Sequence, residues 1–243
     1  MNGPLQFVGI ENVALPARPL ELAIGMFDGV HLGHRAVVAS AVTAAKAEQG
    51  LAGVLTFWPH PSIFFQAPSP TRMIMAPADK VLALAALGIE AIITINFTED
   101  FARLPAEEFL PYLRRHLPQL AGVHVGDNWR FGRGRAGDSA LLARDGTRLG
   151  LRVASVARVE VAGGPVSSTR IRELLVAGEV AKANELLGTP YTAQGVVVPG
   201  RQLGRTLDFP TLNLAWVPDL QPRFGVYTVR LTGARSSAAR SSM

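Results

Sequence analysis

Two histidines three residues apart have the type and spacing of a phosphate-binding pair. His31 and His34 follow a short apolar run and a Phe-Asp-Gly turn. A helix beginning near His31 would place both imidazoles on one face of its first turn, beside backbone N–H groups that attract phosphate oxygens. The alternatives are two surface histidines or half of a metal site. A zinc site would need two further ligands, and the chain has neither cysteine nor a His-Glu-x-x-His pattern.

Alternating strand and helix patterns surround this pair and must position it. Short apolar runs predict buried strands, and the stretches between them predict helices. The predicted strands are residues 21–26, 53–57, 91–95, 123–126 and 151–156. The predicted helices are residues 34–48, 78–87 and 106–116, a helix capped by Ser168 and ended by Gly178, and residues 180–187 before Gly188. We therefore expect an α/β fold with a parallel sheet covered by helices, and a site at the carboxyl ends of its strands.

The pattern changes after Pro190. Residues 192–198 alternate, residues 225–231 (GVYTVRL) predict another strand, and no helical pattern follows. We interpret this part as the beginning of a small antiparallel β domain that is cut short. Residues 232–243 consist of small and basic residues without a core pattern, which predicts disorder. An incomplete barrel exposes strand edges, so we expect some self-association through it.

Composition limits the classes of protein and partner. The chain is 48% hydrophobic and 18% charged, which excludes a disordered protein, and the lack of cysteine excludes a disulfide scaffold. Its net charge of +5 comes from arginines that are scattered, apart from a cluster at Arg130, Arg133 and Arg135. Apart from Phe131, no aromatic residue lies within that cluster, which lacks the repeated aromatic residues of a single-strand binding surface, so we expect phosphorylated small molecules rather than nucleic acid. Without an 18-residue apolar stretch or a leader pattern, we expect a cytoplasmic protein with no membrane partner.

Five segments, in order along the chain, resemble the motifs of one enzyme family. They are GMFDGVHLGH at residues 25–34, TFWPHP at 56–61, VGDNWRFG at 125–132, SSTRIR at 167–172 and GRTLDFPTLN at 204–213. These segments are similar to the signatures of the bacterial bifunctional riboflavin kinase/FAD synthetases, which belong to the HxGH nucleotidyltransferase class. The resemblance covers nearly the whole chain through Leu231.

The resemblance implies two modules and two reactions. Residues 1–186 would form a Rossmann-like FMN adenylyltransferase (FAD synthetase) domain. Residues 187–243 would form part of a riboflavin-kinase β-barrel, with a disordered tail from about residue 232. The family phosphorylates riboflavin with ATP to give FMN. It then joins FMN to AMP from a second ATP, giving FAD and pyrophosphate, with Mg²⁺ as the cofactor.

The same resemblance implies a role for each motif residue. The catalytic residues would be His31, His34 and Arg172. The ATP-binding residues would be Gly25, Phe27, Asp28, Gly33, Ser167, Ser168 and Thr169. The flavin-binding residues would be Phe57, His60, Pro61, Asn128, Arg130 and Phe131. Thr211 and Asn213 would belong to the kinase nucleotide and Mg²⁺ site, and Asn128 would lie near a metal in the first module.

The chain also departs from the family pattern. Trp129 replaces a Phe, and Asp208 replaces a Gly. The glutamate proposed as the kinase's general base would lie beyond the last residue of this sequence, so we expect riboflavin kinase activity to be lost or weak. One alternative is a bifunctional enzyme whose kinase site is completed by another chain. Another is a flavin- or nucleotide-binding module without turnover.

Two further patterns allow more than one interpretation. Residues 132–137 (GRGRAG) match the Gly-x-Gly-x-x-Gly dinucleotide fingerprint, but they do not open a βαβ unit and no acidic residue follows at the required distance. We interpret them as a phosphate-attracting arginine loop or as a solvated turn. His60, between two prolines, either braces its turn or helps to hold the nucleotide.

Overall fold

A six-stranded parallel sheet forms the centre of the protein. The computed structural model describes residues 3–64, 71–200, 211–216 and 219–233. The strands of the sheet are β1 (Leu5–Val8), β2 (Leu20–Ile24), β3 (Leu51–Trp58), β4 (Ala91–Asn96), β5 (Leu120–Gly126) and β6 (Arg152–Val156). Every neighbouring pair is parallel, in the order β1-β4-β3-β2-β5-β6. This confirms the predicted α/β class and fits a Rossmann-like nucleotidyltransferase domain.

Helices connect and cover these strands. They are α1 (Leu32–Ala47), α2 (Pro77–Ala86), α3 (Glu99–Ala102), α4 (Ala106–His116), α5 (Ser139–Arg148), α6 (Ser168–Ala177) and α7 (Val180–Leu187). The sheet buries apolar side chains on both faces, as shown by β2. Its Leu22 and Ile24 belong to one core cluster, whereas Ala23, between them, packs with Val38 of α1 in another. Among the described residues, no helix is long and apolar enough to span a bilayer.

The direction in which the chain moves across the sheet reverses at β2. Strands β3 and β4 lie on one side of it, and β5 and β6 lie on the other. Such a reversal opens a crevice beyond the carboxyl ends of the two central strands. The segments that leave β2 and β5 there are the predicted motifs beginning at Gly25 and at Val125.

Local patterns missed several elements. Strand β1 is an edge strand whose side chains are mostly exposed, so it lacks a periodic apolar signal. Helix α5 contains Gly146, where a Cβ would lie 2.4 Å from Cγ2 of Val153, and this close packing of helix on sheet favours glycine over a better helix former. The N-cap of α6 is Ser167 rather than the predicted Ser168, since the Ser167 hydroxyl accepts the N–H of Arg170.

The predicted strand at residues 225–231 is wrong. These residues form no ladder with any described segment, and the side chains of Val226 and Val229 are exposed. A strand requires a neighbouring backbone, and no described segment lies alongside this one. The described β structure after Pro190 is one short antiparallel pair, β9 (Val197–Val198) with β10 (Asn213–Leu214), and a bridge at Gln194. The pair β7 (Glu160–Val161) and β8 (Gly164–Pro165) precedes it in the chain. The predicted disordered tail lies mostly outside the described residues.

Candidate active site

The loop after β2 has an unusual backbone that brings two histidines to the start of α1. Phe27 and Val30 have φ of 52° and 41°, and Gly29 has φ of 82°. Positive φ is rare for a β-branched residue such as Val30 and costs conformational energy, so the surrounding structure must hold this loop in place. Phe27 and Val30 are each only 1% exposed. Burial of these side chains therefore anchors a strained loop at the end of the central strand.

His31 and His34 form one rigid unit at the N-terminus of α1. His31 is the N-cap, and its Nδ1 accepts the backbone N–H of His34 at 3.2 Å. The two rings are stacked with centroids 3.6 Å apart and planes inclined by 14°. Gly33 lies against them, since a Cβ there would come within 3.2 Å of the His31 ring. The structure thus brings together the two predicted catalytic histidines and the predicted Gly33.

Both imidazoles are neutral at neutral pH. Burial lowers the pKa of His31 to about 4, and the nearby Arg172 adds to the effect. Burial also lowers the pKa of His34 well below its ordinary value, with His31, Lys80 and Arg172 acting in the same direction. Because Nδ1 of His31 accepts a hydrogen bond, the proton of its neutral ring lies on Nε2, which can donate. Nδ1 of His34 is buried and makes no hydrogen bond within the described part of the chain.

The buried Asp28 and the partly buried Arg172 form an ion pair beside this unit. Arg172 Nη2 donates to Asp28 Oδ2 at 2.5 Å, and its Nε donates to the carbonyl of Arg72 at 2.9 Å. The same carboxylate accepts the backbone N–H groups of Ile74 and Met75 at 3.0–3.2 Å. Burial raises the pKa of Asp28, and Arg172 and the two amides oppose that rise. Asp28, predicted to bind ATP, therefore directs its carboxylate to Arg172 and these amides.

The start of α6 faces the same loop. Ser167 caps the helix, and the hydroxyl of Ser168 donates to the carbonyl of Asp28 at 3.1 Å. Thr169 is exposed. These contacts join the SSTRIR motif to the loop after β2 across more than a hundred residues. Helix α6 thus contributes a capped N-terminus and Arg172 to one end of the histidine site.

A buried lysine lies beneath the same loop, and the sequence analysis missed it. Lys80, in the first turns of α2, is 8% exposed and donates to Oγ1 of Thr56 at 3.2 Å and to the carbonyl of Met26 at 3.4 Å. Thr56 also donates to the Met26 carbonyl at 3.1 Å. Burial lowers the pKa of Lys80, and the charge of Asp28 opposes this. A lone lysine within an apolar helical pattern offers no local signal of such a position.

The segment after β3 contains the predicted His60 and Pro61. His60 caps a single 3₁₀ turn, Pro61–Ile63, by accepting the N–H of Ser62 on Nδ1. Burial lowers the pKa of His60 to about 4, and the charges of Arg172 and Lys80 contribute, which places His60 in the electrostatic field of the site. Its brace role in the turn is therefore confirmed, and a role toward the nucleotide stays a prediction.

Two predicted flavin contacts, Phe57 and Phe131, are buried, and their contact with flavin stays a prediction. Phe57 is 7% exposed and packs edge-on against Phe97 at a centroid distance of 6.0 Å. Phe131 is 6% exposed and stacks on Trp129 at 4.7 Å with an interplanar angle of 15°. Both rings belong to the larger hydrophobic core cluster of the sheet. They support the wall of the crevice and present little surface to a ligand.

The segment after β5 provides exposed polar and basic groups. Asn128 and Arg130 are exposed, and Arg130 forms an ion pair with Asp138 at 3.0 Å. In the GRGRAG segment, Gly132 and Gly134 have positive φ, and a Cβ on Gly137 would lie 2.7 Å from the Phe131 ring. The glycines thus serve a tight turn, Arg133–Arg135, that packs on Phe131, and the dinucleotide-fingerprint match has no structural counterpart.

The predicted kinase residues lie in and just before β10. Thr211 and Asn213 are exposed, and Asn213 of β10 pairs with Val198 of β9. The rest of the GRTLDFPTLN segment, including Asp208, lies outside the described residues. Within the described ranges, no group of three or more acidic or histidine side chains could hold a metal ion.

Comparisons with known proteins match two families along the chain. The family described as FAD synthetase matches residues 16–170, and the family described as riboflavin kinase matches residues 187–242. The chain is 35% identical over 227 residues to the bifunctional riboflavin kinase/FMN adenylyltransferase of Escherichia coli, covering 93% of this chain and 72% of that one. It is 36% identical over 215 residues to the protein of that name from Listeria monocytogenes, covering 86% and 67%.

A solved structure has a similar fold. The crystal structure described as a macrolide-efflux protein from Streptococcus pneumoniae has a TM-score of 0.83 and 29% identity, covering 92% of this chain and 73% of that one.

Proposed function

This chain belongs to the family of bifunctional riboflavin kinase/FMN adenylyltransferases, and we propose that residues 1–186 are its FMN adenylyltransferase module. The module transfers AMP from ATP to FMN and releases pyrophosphate. The observation that carries this proposal is the stacked pair of His31 and His34 at the N-terminus of α1, at the point where the strand order reverses. Backbone N–H groups, neutral imidazole donors and Arg172 converge there, as a polyphosphate requires.

The reaction needs no protein base. The phosphate of FMN, already an anion at neutral pH, attacks the α-phosphorus of ATP, the bond to the pyrophosphate oxygen breaks, and pyrophosphate leaves. Catalysis depends on alignment and on stabilising charge that develops on the leaving group. The Nε2–H of His31 and a ring N–H of His34 donate hydrogen bonds to the phosphates. Since both rings are neutral, they are available as donors without a prior change in protonation.

Arg172 supplies the positive charge. Its guanidinium is held by Asp28 and by the carbonyl of Arg72, so its position is set before the nucleotide binds. A guanidinium has five N–H donors, and these two contacts use two of them. The remaining N–H groups bind the triphosphate together with Ser167, Ser168 and Thr169 of the α6 N-terminus. Asp28 positions Arg172 in this scheme.

The described residues fit a magnesium ion that is held mainly by substrate. Mg²⁺ usually keeps several waters and binds one or two protein oxygens together with phosphate oxygens. The described chain has no acidic cluster, but Asn128 offers an exposed amide oxygen after β5. Mg²⁺ would enter with ATP and neutralise phosphate charge. Thr211 and Asn213 would take the corresponding role in the riboflavin kinase part.

FMN binds beside this edge of the sheet. Asn128 and Arg130 offer hydrogen bonds at the end of β5, and His60 with Pro61 forms the opposite side after β3. Phe57 and Phe131, which belong to one hydrophobic core cluster, lie beneath these segments. The Arg133 and Arg135 turn provides positive charge for the FMN phosphate.

We further propose that riboflavin kinase activity is lost or weak in this chain, whose residues 187–243 form the riboflavin-kinase part. The described β structure there is one two-stranded pair and a bridge at Gln194, and several apolar side chains of this part are exposed, including Val196, Val197 and Phe224. These exposed side chains favour a second candidate, in which another copy of the chain completes the kinase site by association.

Chromatographic separation of flavins tests these proposals. Purified protein is incubated with Mg-ATP and either FMN or riboflavin. FAD from FMN, with riboflavin unchanged, is the expected result. FMN formed from riboflavin in proportion to a dimer population would support completion by a second copy, and binding of ATP and FMN without product would support the module without turnover. Arg172→Ala should lower FAD formation on the order of 10²–10³-fold and leave a measurable residual rate, whereas Arg103→Ala, at an exposed arginine paired with Glu99, is the matched control.

A further inference from the structure

A segment from the riboflavin-kinase part of the chain packs against the adenylyltransferase site. This docking segment, residues 219–223, buries Leu220 to 1% exposure in a small core with Ile74, Leu175 and Leu187. The hydroxyl of Tyr191 donates to the Leu220 carbonyl at 2.7 Å, and the N–H of Arg223 donates to the Leu175 carbonyl at 3.0 Å. The docking segment is therefore fixed to α6, the helix that carries Arg172.

The docking segment also binds the short stretch that holds the ion pair. Residues 72–75, which we name the clamp, contact both sides. Both backbone groups of Met73 form hydrogen bonds with the docking segment. Its N–H donates to Asp219 Oδ2 at 3.3 Å, and its carbonyl accepts the N–H of Leu220 at 3.1 Å. The docking segment and the clamp are thus joined by two hydrogen bonds and by the contact of Leu220 with Ile74.

The other groups of the clamp face the active site. The carbonyl of Arg72 accepts from Arg172, and the N–H groups of Ile74 and Met75 donate to Asp28. The backbone groups of Met73 therefore bind the docking segment, and those of its neighbours in the clamp bind the active-site ion pair. Any displacement of Met73 must move the groups on either side of it, which fix Asp28 and Arg172.

We infer that the docking segment is a positioning element of the adenylyltransferase site, acting through the clamp on Asp28 and Arg172. The inference depends on the proposed role of Arg172 at the triphosphate. Residues 219–223, which belong to the riboflavin-kinase part of the chain, thereby support catalysis in the adenylyltransferase part. The consequence is that the conformation around residue 220 and the rate of FAD formation are coupled.

The test combines two variants of the docking segment with Arg172→Ala. Asp219→Ala removes an exposed acceptor, and Leu220→Ala removes the buried anchor. Small displacements of a catalytic group cost up to about 100-fold in rate, so we expect each variant to lower kcat for FAD formation by about 10- to 100-fold. In the Arg172→Ala background, each substitution in the docking segment should lower kcat by less than about 2-fold. The reason is that the side chain whose position it affects is absent. Equal losses in both backgrounds would overturn the inference.

Conservative variants and a neighbouring control separate positioning from folding. Asp219→Asn keeps an acceptor oxygen and Leu220→Met keeps side-chain volume, so both should restore most of kcat. Phe224→Ala, next to the docking segment at 95% exposure, should behave as the unmodified protein. If Leu220→Ala does not fold, Asp219→Ala decides the outcome.

Hydrogen exchange gives a readout that does not require activity. The amides of Ile74 and Met75 should exchange faster in Asp219→Ala and Leu220→Ala than in Phe224→Ala. Unchanged exchange would overturn the inference even if FAD formation falls. Faster exchange in a protein that makes no FAD would leave the coupling standing and would count against the proposed function alone.

Discussion

The ring of His31 stacks on the ring of His34 while its Nδ1 accepts the backbone N–H of the same residue. One side chain therefore caps helix α1 and fixes the position of the second imidazole. The cap leaves Nε2 of His31 as the donor, and the buried Nδ1 of His34 makes no hydrogen bond to the described residues. Both features suit a ligand that accepts hydrogen bonds, such as a polyphosphate.

Substitution of His31 should separate its two roles. In His31→Ala we expect FAD formation to fall on the order of 10²–10³-fold, because one donor to the developing charge is lost. The lost cap should also lower the free energy of unfolding by about 1 kcal/mol. His31→Asn keeps a capping oxygen, so it should retain stability and still lose activity.

Flavin chromatography and urea denaturation measure the two effects of these substitutions. His116→Ala, at the end of α4, serves as a histidine control outside the site. Near-normal FAD formation by His31→Asn would contradict the assignment of His31 to the phosphates.

Stability should fall in mild acid. Because burial lowers the folded-state pKa of His31 and His60 to about 4, the unfolded chain binds protons below about pH 6.5 that the folded chain does not. The free energy of unfolding therefore decreases as the pH falls from about 6.5 to 4. For His31 alone the loss should reach about 3 kcal/mol at pH 4.

Urea midpoints measured between these two pH values test this dependence. The slope of stability against pH should be smaller in His31→Asn, since the titrating group is absent. Equal slopes in the two proteins would show that His31 titrates normally in the folded state.

A cluster of ionisable side chains centred on the buried Glu21 of β2 should stabilise the fold. Glu21 is fully buried in β2 and contacts Nε2 of His124 at 2.8 Å and the guanidinium of Arg152, which also contacts Glu48. Burial raises the pKa of Glu21, but hydrogen bonds from His124 and Arg152 outweigh it, so the pKa is lowered.

Glu21→Ala removes the centre of that cluster and should cost about 1–3 kcal/mol of unfolding free energy, because it leaves Nε2 of the buried His124 without its partner. Glu48→Ala removes a partly exposed partner of the same Arg152 and should cost at most about 1 kcal/mol. Thermal or urea unfolding of the two variants provides the comparison. Similar losses in both would mean that burial of Glu21 is not the deciding factor.

Two glycines of the arginine turn should differ in their tolerance of alanine. Both have positive φ, so either substitution should cost about 1–2 kcal/mol in backbone strain. At Gly132 a Cβ would also lie 2.5 Å from the Ala106 Cα, whereas nothing lies within 4 Å at Gly134. Gly132→Ala should therefore be clearly the less stable variant in urea. Equal stability would show that the start of α4 can move to accept the methyl group.

Local sequence determined much of the scaffold. The apolar runs located five of the six strands of the sheet to within a few residues, and the predicted bounds of α4 and α7 agree with the structure. Capping and turn residues also acted locally, since Gly178 and Gly188 end their helices in the left-handed conformation. The histidine pair at the start of α1 was predictable because its geometry depends on a single helical turn.

Tertiary structure decided which of these groups meet. Asp28 and Arg172 are 144 residues apart, and no periodicity in either segment indicates that they pair. Likewise, no local pattern indicates that Lys80 contacts Thr56 or that Leu220 packs in one cluster with Ile74. Whether Phe57 and Phe131 face the crevice or the core depends on strand register and on the packing of neighbouring helices. Sequence determined the helix ends and the strand interiors because those follow from nearest neighbours along the chain. The active-site ion pair and its support depended on how distant segments pack, which only the folded structure specifies.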